Sequence, residues 1–208
     1  MTAKTVSFYF GLSSRYSYLA HTQLAGIAAR TGARFEWKPL YSPDLMDRRG
    51  QNPFAVPPPS GVYDAAYRLR DVRRWAGFYG IPYSEPDGRL VGDRRLFSLA
   101  AVAGAYLGEA EAMSRAIFAA VFHDTRTALP DAGLPDTGLV DLAVSLGLDE
   151  TAYAEALVAP ETRTLHDRHI DEALAAGVFG VPAFVCEGQV WFGNDRLVLL
   201  EAWLKHTA

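Results

Sequence analysis

A proline in front of an apolar run, Val181-Pro182-Ala183-Phe184-Val185, limits what this chain of 208 residues can fold into more than any other feature. A helical run ends at Gly177-Val178-Phe179-Gly180, and a strand is predicted over 181–186. Proline has no N–H, so it belongs at the first residue of a strand or on an edge, not inside a sheet. An X-Pro bond at such a junction can be trans, and then only starts the strand, or cis. A cis bond would turn the N–H and C=O of Val181 outward, free to pair with an extended ligand as a strand would. Local sequence leaves both open.

The other end of the chain narrows the choice. Thr5-Val6-Ser7-Phe8-Tyr9-Phe10 reads as a strand. A turn over 11–15 leads into a helix over 16–28, with Tyr16, Leu19, Leu24 and Ile27 at helical spacing. A second strand is predicted over 34–40. After residue 181 the order is strand, Glu187-Gly188 turn, strand 189–192 and helix 195–205. A βαβ opening and a ββα closing, with proline before the third strand, is the thioredoxin-like arrangement, an α/β fold. Between the halves, 42–62 reads as loop because of its prolines. Helices are predicted at about 62–79, 94–107, 109–123, 138–146, 151–158 and 161–176. The segment 124–136 is expected to line or cover a site. The chain thus divides into a thioredoxin-like domain, 1–48 with 177–208, and a large α-helical insertion over 49–176.

Composition excludes several function classes. A net charge of −4 argues against a general nucleic-acid surface. The basic groups Arg48-Arg49, Arg68/Arg70/Arg73/Arg74 and Arg94-Arg95 read as solvated faces or as a local lining for an anionic substrate. No stretch is apolar for long enough to span a membrane and no secretory leader is visible, so a cytoplasmic location is expected. One cysteine, Cys186, forbids an internal disulfide and reads as a buried thiol in a core strand. His166 and His169 could begin a metal site, but no further ligand cluster supports one, and no metal is expected.

Phe8-Tyr9-Phe10-x-x-x-Ser14-x-Tyr16-x-Tyr18-Leu19-Ala20, Trp37-Lys38-Pro39, Arg70-Asp71 ahead of Gly80-Ile81-Pro82, Gly177 to Pro182, and Phe192-Gly193-Asn194-Asp195-Arg196 occur in that order. In this order the chain resembles the 2-hydroxychromene-2-carboxylate isomerases and kappa-class glutathione transferases, relatives of the DsbA-like oxidoreductases. Those oxidoreductases carry Cys-x-x-Cys where this chain has Ser13-Ser14-Arg15-Tyr16, so disulfide exchange there is excluded. A thiol at that place must come from a bound cofactor, and the resemblance implies glutathione.

The resemblance assigns the roles. Ser14 would donate a hydrogen bond to the glutathione sulfur, which lowers the thiol's pKa with help from the helix N-terminus. The plain alternative is that Ser13 or Ser14 is the helix N-cap, and a shift of register would pass the role to Ser13. Val181 would bind the cysteinyl backbone, and Pro182 would enforce the geometry. Asn194 and Asp195 match the positions that hold the γ-glutamyl end, or else form a turn and N-cap. Asn52 and Lys38 are further cofactor candidates. Members commonly carry aspartate at Gly11 and proline at Arg15. Arg15 would stabilise the thiolate or bind a substrate carboxylate, and Tyr16, Trp75 and Tyr79 would line the acceptor pocket. Arg70-Asp71 reads as an internal ion pair. The implied activity is glutathione-dependent isomerisation of a small aromatic-derived carboxylate by thiolate addition, bond rotation and elimination. Kappa-like transferase or peroxidase activity, and a non-catalytic module that binds a peptide or partner, are the alternatives. A homodimer is expected by analogy.

Overall fold

The computed structural model describes residues 3–50, 64–85, 94–123 and 136–206. Its centre is a four-stranded sheet in the order β2-β1-β3-β4. β1 (Thr5–Phe10) and β2 (Arg34–Pro39) are parallel, joined by α1 (Arg15–Thr31). β3 (Ala183–Cys186) runs antiparallel to β1, and β4 (Gln189–Phe192) antiparallel to β3. The helices α3 (Ala65–Tyr79), α4 (Arg95–Tyr106), α5 (Ala110–Phe122), α6 (Asp136–Ser145), α7 (Glu150–Val158) and α8 (Pro160–Ala175) come between β2 and β3. A short 3₁₀ turn at Asn194–Arg196 leads into α9 (Leu197–His206).

Alternation along β1 builds a layer on each face of the sheet. Phe8 and Phe10 point to one side and stack on each other with ring centroids 4.5 Å apart. Phe184 stacks on Phe8 at 5.0 Å, and Trp37 meets both Phe8 and Phe10 edge-on at 5.4 Å. Leu19, Leu24 and Ile27 of α1 and Ile117, Phe118 and Val121 of α5 join this core. Tyr9 points the other way, into a smaller cluster with Leu40, Leu45, Ile170, Ala173, Val178 and Ala183, so α8 closes the opposite face. Cys186 is buried in β3 as expected, and burial raises its thiol pKa.

One expectation needs correction. Residues 42–49 form a helix, α2 (Ser42–Arg49), not a loop. Pro43 sits in its first turn, where a missing N–H costs nothing, and Gly50 ends it at φ 71°. A proline taken as a helix breaker is here a helix starter. The expected triple-proline stretch at Pro57-Pro58-Pro59 and nearly all of the 124–136 segment lie outside the described residues.

Candidate active site

The Val181–Pro182 bond is cis. Among the described residues neither the N–H nor the C=O of Val181 has a hydrogen-bond partner. The next carbonyl, that of Pro182, accepts from Gly193 N–H at 2.9 Å and ties this loop to the turn before α9. Gly11 brings the opposite turn alongside: a Cβ there would lie 3.5 Å from Val181 Cγ2, 3.5 Å from the Leu40 carbonyl oxygen and 3.7 Å from Ser42 Oγ. Four segments therefore meet at one end of the sheet: the 11–14 turn, the start of α2, the cis-proline loop and the entry to α9.

Ser14 is the N-cap of α1, its Oγ accepting from Ser17 N–H at 3.2 Å. Both readings of this serine can hold together. Capping uses a lone pair, and the hydroxyl proton has no acceptor among the described residues. That proton stands where α1 presents its unpaired N–H groups, a favourable place for an anion.

Asn194 is 3% exposed, and its side-chain amide nitrogen is buried without a partner. A buried unpaired donor costs free energy and calls for an explanation, of which a ligand is one. Tyr79 of α3 donates to the Asn194 carbonyl at 3.4 Å, so the inserted helices reach this subsite. Asp195 is exposed and paired with Arg196. Gly193, at φ 105°, is required here: a Cβ would come within 2.5 Å of Asp195 Oδ1.

The remaining candidates have definite partners. Arg15 gives two nitrogens to Glu85, Nε at 2.5 Å and Nη2 at 2.9 Å, and Tyr83 donates to the same carboxylate at 2.5 Å. This pairing raises the Arg15 pKa, while burial foremost, with Glu85 beside it, raises that of Tyr83. Tyr16 donates to Asp71 at 2.8 Å and staples α1 to α3. Asp71 thus answers Tyr16; no Arg70–Asp71 ion pair exists among the described residues, and Arg70, Arg73 and Arg74 are exposed. Lys38 projects to the α8 face, bonded to Glu172 at 2.5 Å and lying over the Tyr9 ring. Tyr9 is pushed up to about 12 by burial and by Glu172. Asn52 lies outside the described residues.

Arg48 and Arg95 are occupied by Asp167 with Asp171 and by Asp44. They line a cavity of about 380 Å³ together with Asp44, Asp47, Leu99 and His166, none of which is Ser14, Val181 or Asn194. His166 accepts from Tyr41 N–H at 3.0 Å and His169 contacts the Pro39 carbonyl at 2.9 Å, so both imidazoles support the backbone. Among the described residues no group of three possible metal ligands forms. Ser42, Tyr83 and Glu85 were not singled out by sequence. Ser42-Pro43 suits a helix start as well as a loop, and Glu85 carried no signal, because its partner is 70 positions away.

A parallel βαβ and an antiparallel ββα, with a cis proline ahead of β3 brought beside the turn that opens α1, define a thioredoxin-fold protein with no cysteine at the start of that helix. The chain belongs to the DSBA-like thioredoxin domain family, which matches residues 5–205. It is 29% identical over 204 residues to the 2-hydroxychromene-2-carboxylate isomerase of Sphingobium xenophagum, covering 97% of this chain and 98% of that protein. It is 30% identical over 202 residues to the enzyme of the same name from Pseudomonas putida, covering 95% and 92%. A solved structure of 2-hydroxychromene-2-carboxylate isomerase superposes with a TM-score of 0.77 at 25% identity, over 98% of this chain and 95% of that one.

Proposed function

We propose that this protein is a glutathione-dependent isomerase acting on 2-hydroxychromene-2-carboxylate or a closely related aromatic-derived carboxylate. The reaction class is supported by relatives of that name that align over nearly the whole chain. The observation that carries the cofactor is a set of unpaired polar groups on adjoining elements: the Ser14 hydroxyl proton, the Val181 backbone and the Asn194 amide. An extended peptide with a thiol in its middle and a charged end suits a hydroxyl, a free strand edge and a helix entry.

Glutathione, when bound, supplies the nucleophilic thiol that the chain itself lacks at this place. Ser14 donates to the sulfur and favours its charged form, aided by the N-terminus of α1. Val181, shaped by Pro182, pairs with the cysteinyl backbone. Asn194 and Asp195 hold the γ-glutamyl end. Arg15 and Tyr16 are held by Glu85 and Asp71, which suits fixed walls of the acceptor site.

A calorimetric titration with glutathione tests the reading, repeated with S-methylglutathione and with Asp195→Ala. Saturable binding that weakens on either change is expected. No binding at millimolar glutathione would remove the thiol source and overturn the reading.

A further inference from the structure

Arg15 carries the wrong charge for its place. The first turn of a helix favours anions, and a cation there opposes the macrodipole. The first turn of α1 has no acidic residue of its own. The missing carboxylate comes from Glu85, whose side chain is only 11% exposed against 29% for Arg15. Glu85 stands on an irregular but anchored segment. Ile81 N–H donates to the Ala76 carbonyl at 3.0 Å and Ser84 N–H to the Phe122 carbonyl at 2.7 Å. The Tyr18 hydroxyl donates to the Pro82 carbonyl, and the Tyr83 ring stacks near Phe122 with its hydroxyl on Glu85. The bidentate pair is therefore fixed at the residue next to Ser14.

We propose that Glu85, steadied by Tyr83, sets the acidity of the thiol beside Ser14 by cancelling the charge of Arg15. The proposal rests on the glutathione reading given above. An uncancelled guanidinium next to the sulfur would deepen the thiolate, and a thiolate loses intrinsic nucleophilicity as its pKa falls. With Glu85 within hydrogen-bond distance, the sulfur faces a dipole whose field decays faster than that of a lone charge. Activation is then left to the Ser14 hydroxyl and the helix terminus, which keeps the thiol both ionisable and reactive. Of the other charged groups beside this end of the sheet, Asp44 pairs with Arg95 and Asp195 with Arg196, while Asp71 accepts from the Tyr16 hydroxyl and has no cationic partner among the described residues. Glu85 acts through Arg15, so it is a positioning residue.

The test is the ionisation of bound glutathione, followed by the ultraviolet absorbance of the thiolate across a pH series, with binding measured by calorimetry in parallel. Arg15→Gln should raise the apparent pKa of the bound thiol and Glu85→Gln should lower it, each by about half a pH unit or more. Arg15→Gln/Glu85→Gln should return close to the unmodified protein. If Glu85→Gln does not fold, comparing Arg15→Gln with the double variant isolates the same carboxylate, whose removal then brings the pKa down again. Shifts of the same sign in both single variants, or none, overturn the proposal while leaving the glutathione reading standing. Absence of glutathione binding to the unmodified protein overturns both.

Discussion

At the N-terminus of α1 the proposed function gives one side chain two jobs. Ser14 caps the helix through a lone pair, and the proposed function gives its proton to the glutathione sulfur. Ser14→Ala should therefore lower two separable quantities. Loss of the cap costs about 1 kcal/mol of stability, read by urea unfolding. Loss of a donor to a charged sulfur should lower kcat/KM for glutathione-dependent isomerisation by roughly tenfold to a hundredfold. Unchanged turnover would exclude the hydroxyl from thiol activation. Gly193 makes a second case. At φ 105°, and with Asp195 Oδ1 so close, Gly193→Ala should cost about 1–2 kcal/mol and weaken glutathione binding by displacing Asp195. Ser14, Asn194 and Asp195 were singled out by the family resemblance, at positions that local chemistry marks only as a cap or a turn, and Val181 by the proline that follows it. Glu85 could not be named, since no local rule marks a loop glutamate that answers a distant arginine.

Among elements, α3 and the segment after it are tied to the N-terminal part of α1 by two polar contacts, Tyr16 to Asp71 and Arg15 to Glu85, and to the turn before α9 by Tyr79 on the Asn194 carbonyl. Val72 and Ala76 of α3 are buried and Trp75 and Tyr79 pack partly buried against the core, and these bonds add to that docking. Asp71→Ala should cost about 1–2 kcal/mol, and it should speed amide hydrogen exchange in α3 while leaving β1 protected. Equal acceleration in both elements would mean that the bond supports the whole fold instead. The periodicity of α3 was legible up to its glycine stop, as was that of the strands. The helix α2 was missed because proline inside a first turn and proline in a loop look alike in one dimension; only the φ of Gly50 and the packing of Leu45 distinguish them.

For the whole molecule, buried imidazoles tie stability to acid. His21 stacks on Phe118 with ring centroids 4.6 Å apart and is 6% exposed. Burial lowers its pKa from 6.5 to about 4, partly opposed by the Tyr18 carbonyl, and Arg115 lowers it further. The folded state thus holds His21 neutral, whereas the unfolded chain protonates near 6.5. The stability this contributes is complete above that pH and is lost as the pH falls towards 4, amounting to about 3 kcal/mol. His166 and His169 are lowered by burial as well and act in the same direction. Urea midpoints should fall between neutral pH and about pH 4, and His21→Leu should remove a large share of that fall. An unchanged pH dependence in that variant would assign the loss to other groups.

By itself the chain determined the βαβ and ββα ends, the proline before β3, the run of helices between them and the lack of a redox cysteine pair, because propensity, periodicity and missing side chains are properties of local sequence. Tertiary structure decided the rest: that Val181–Pro182 is cis, that Val181 and Ser42 close in on Gly11, that Lys38 belongs to Glu172, and that Arg15 is matched by Glu85. Each of these depends on which distant groups are brought within a few ångströms, where a charge or a donor finds its partner only after the chain has folded.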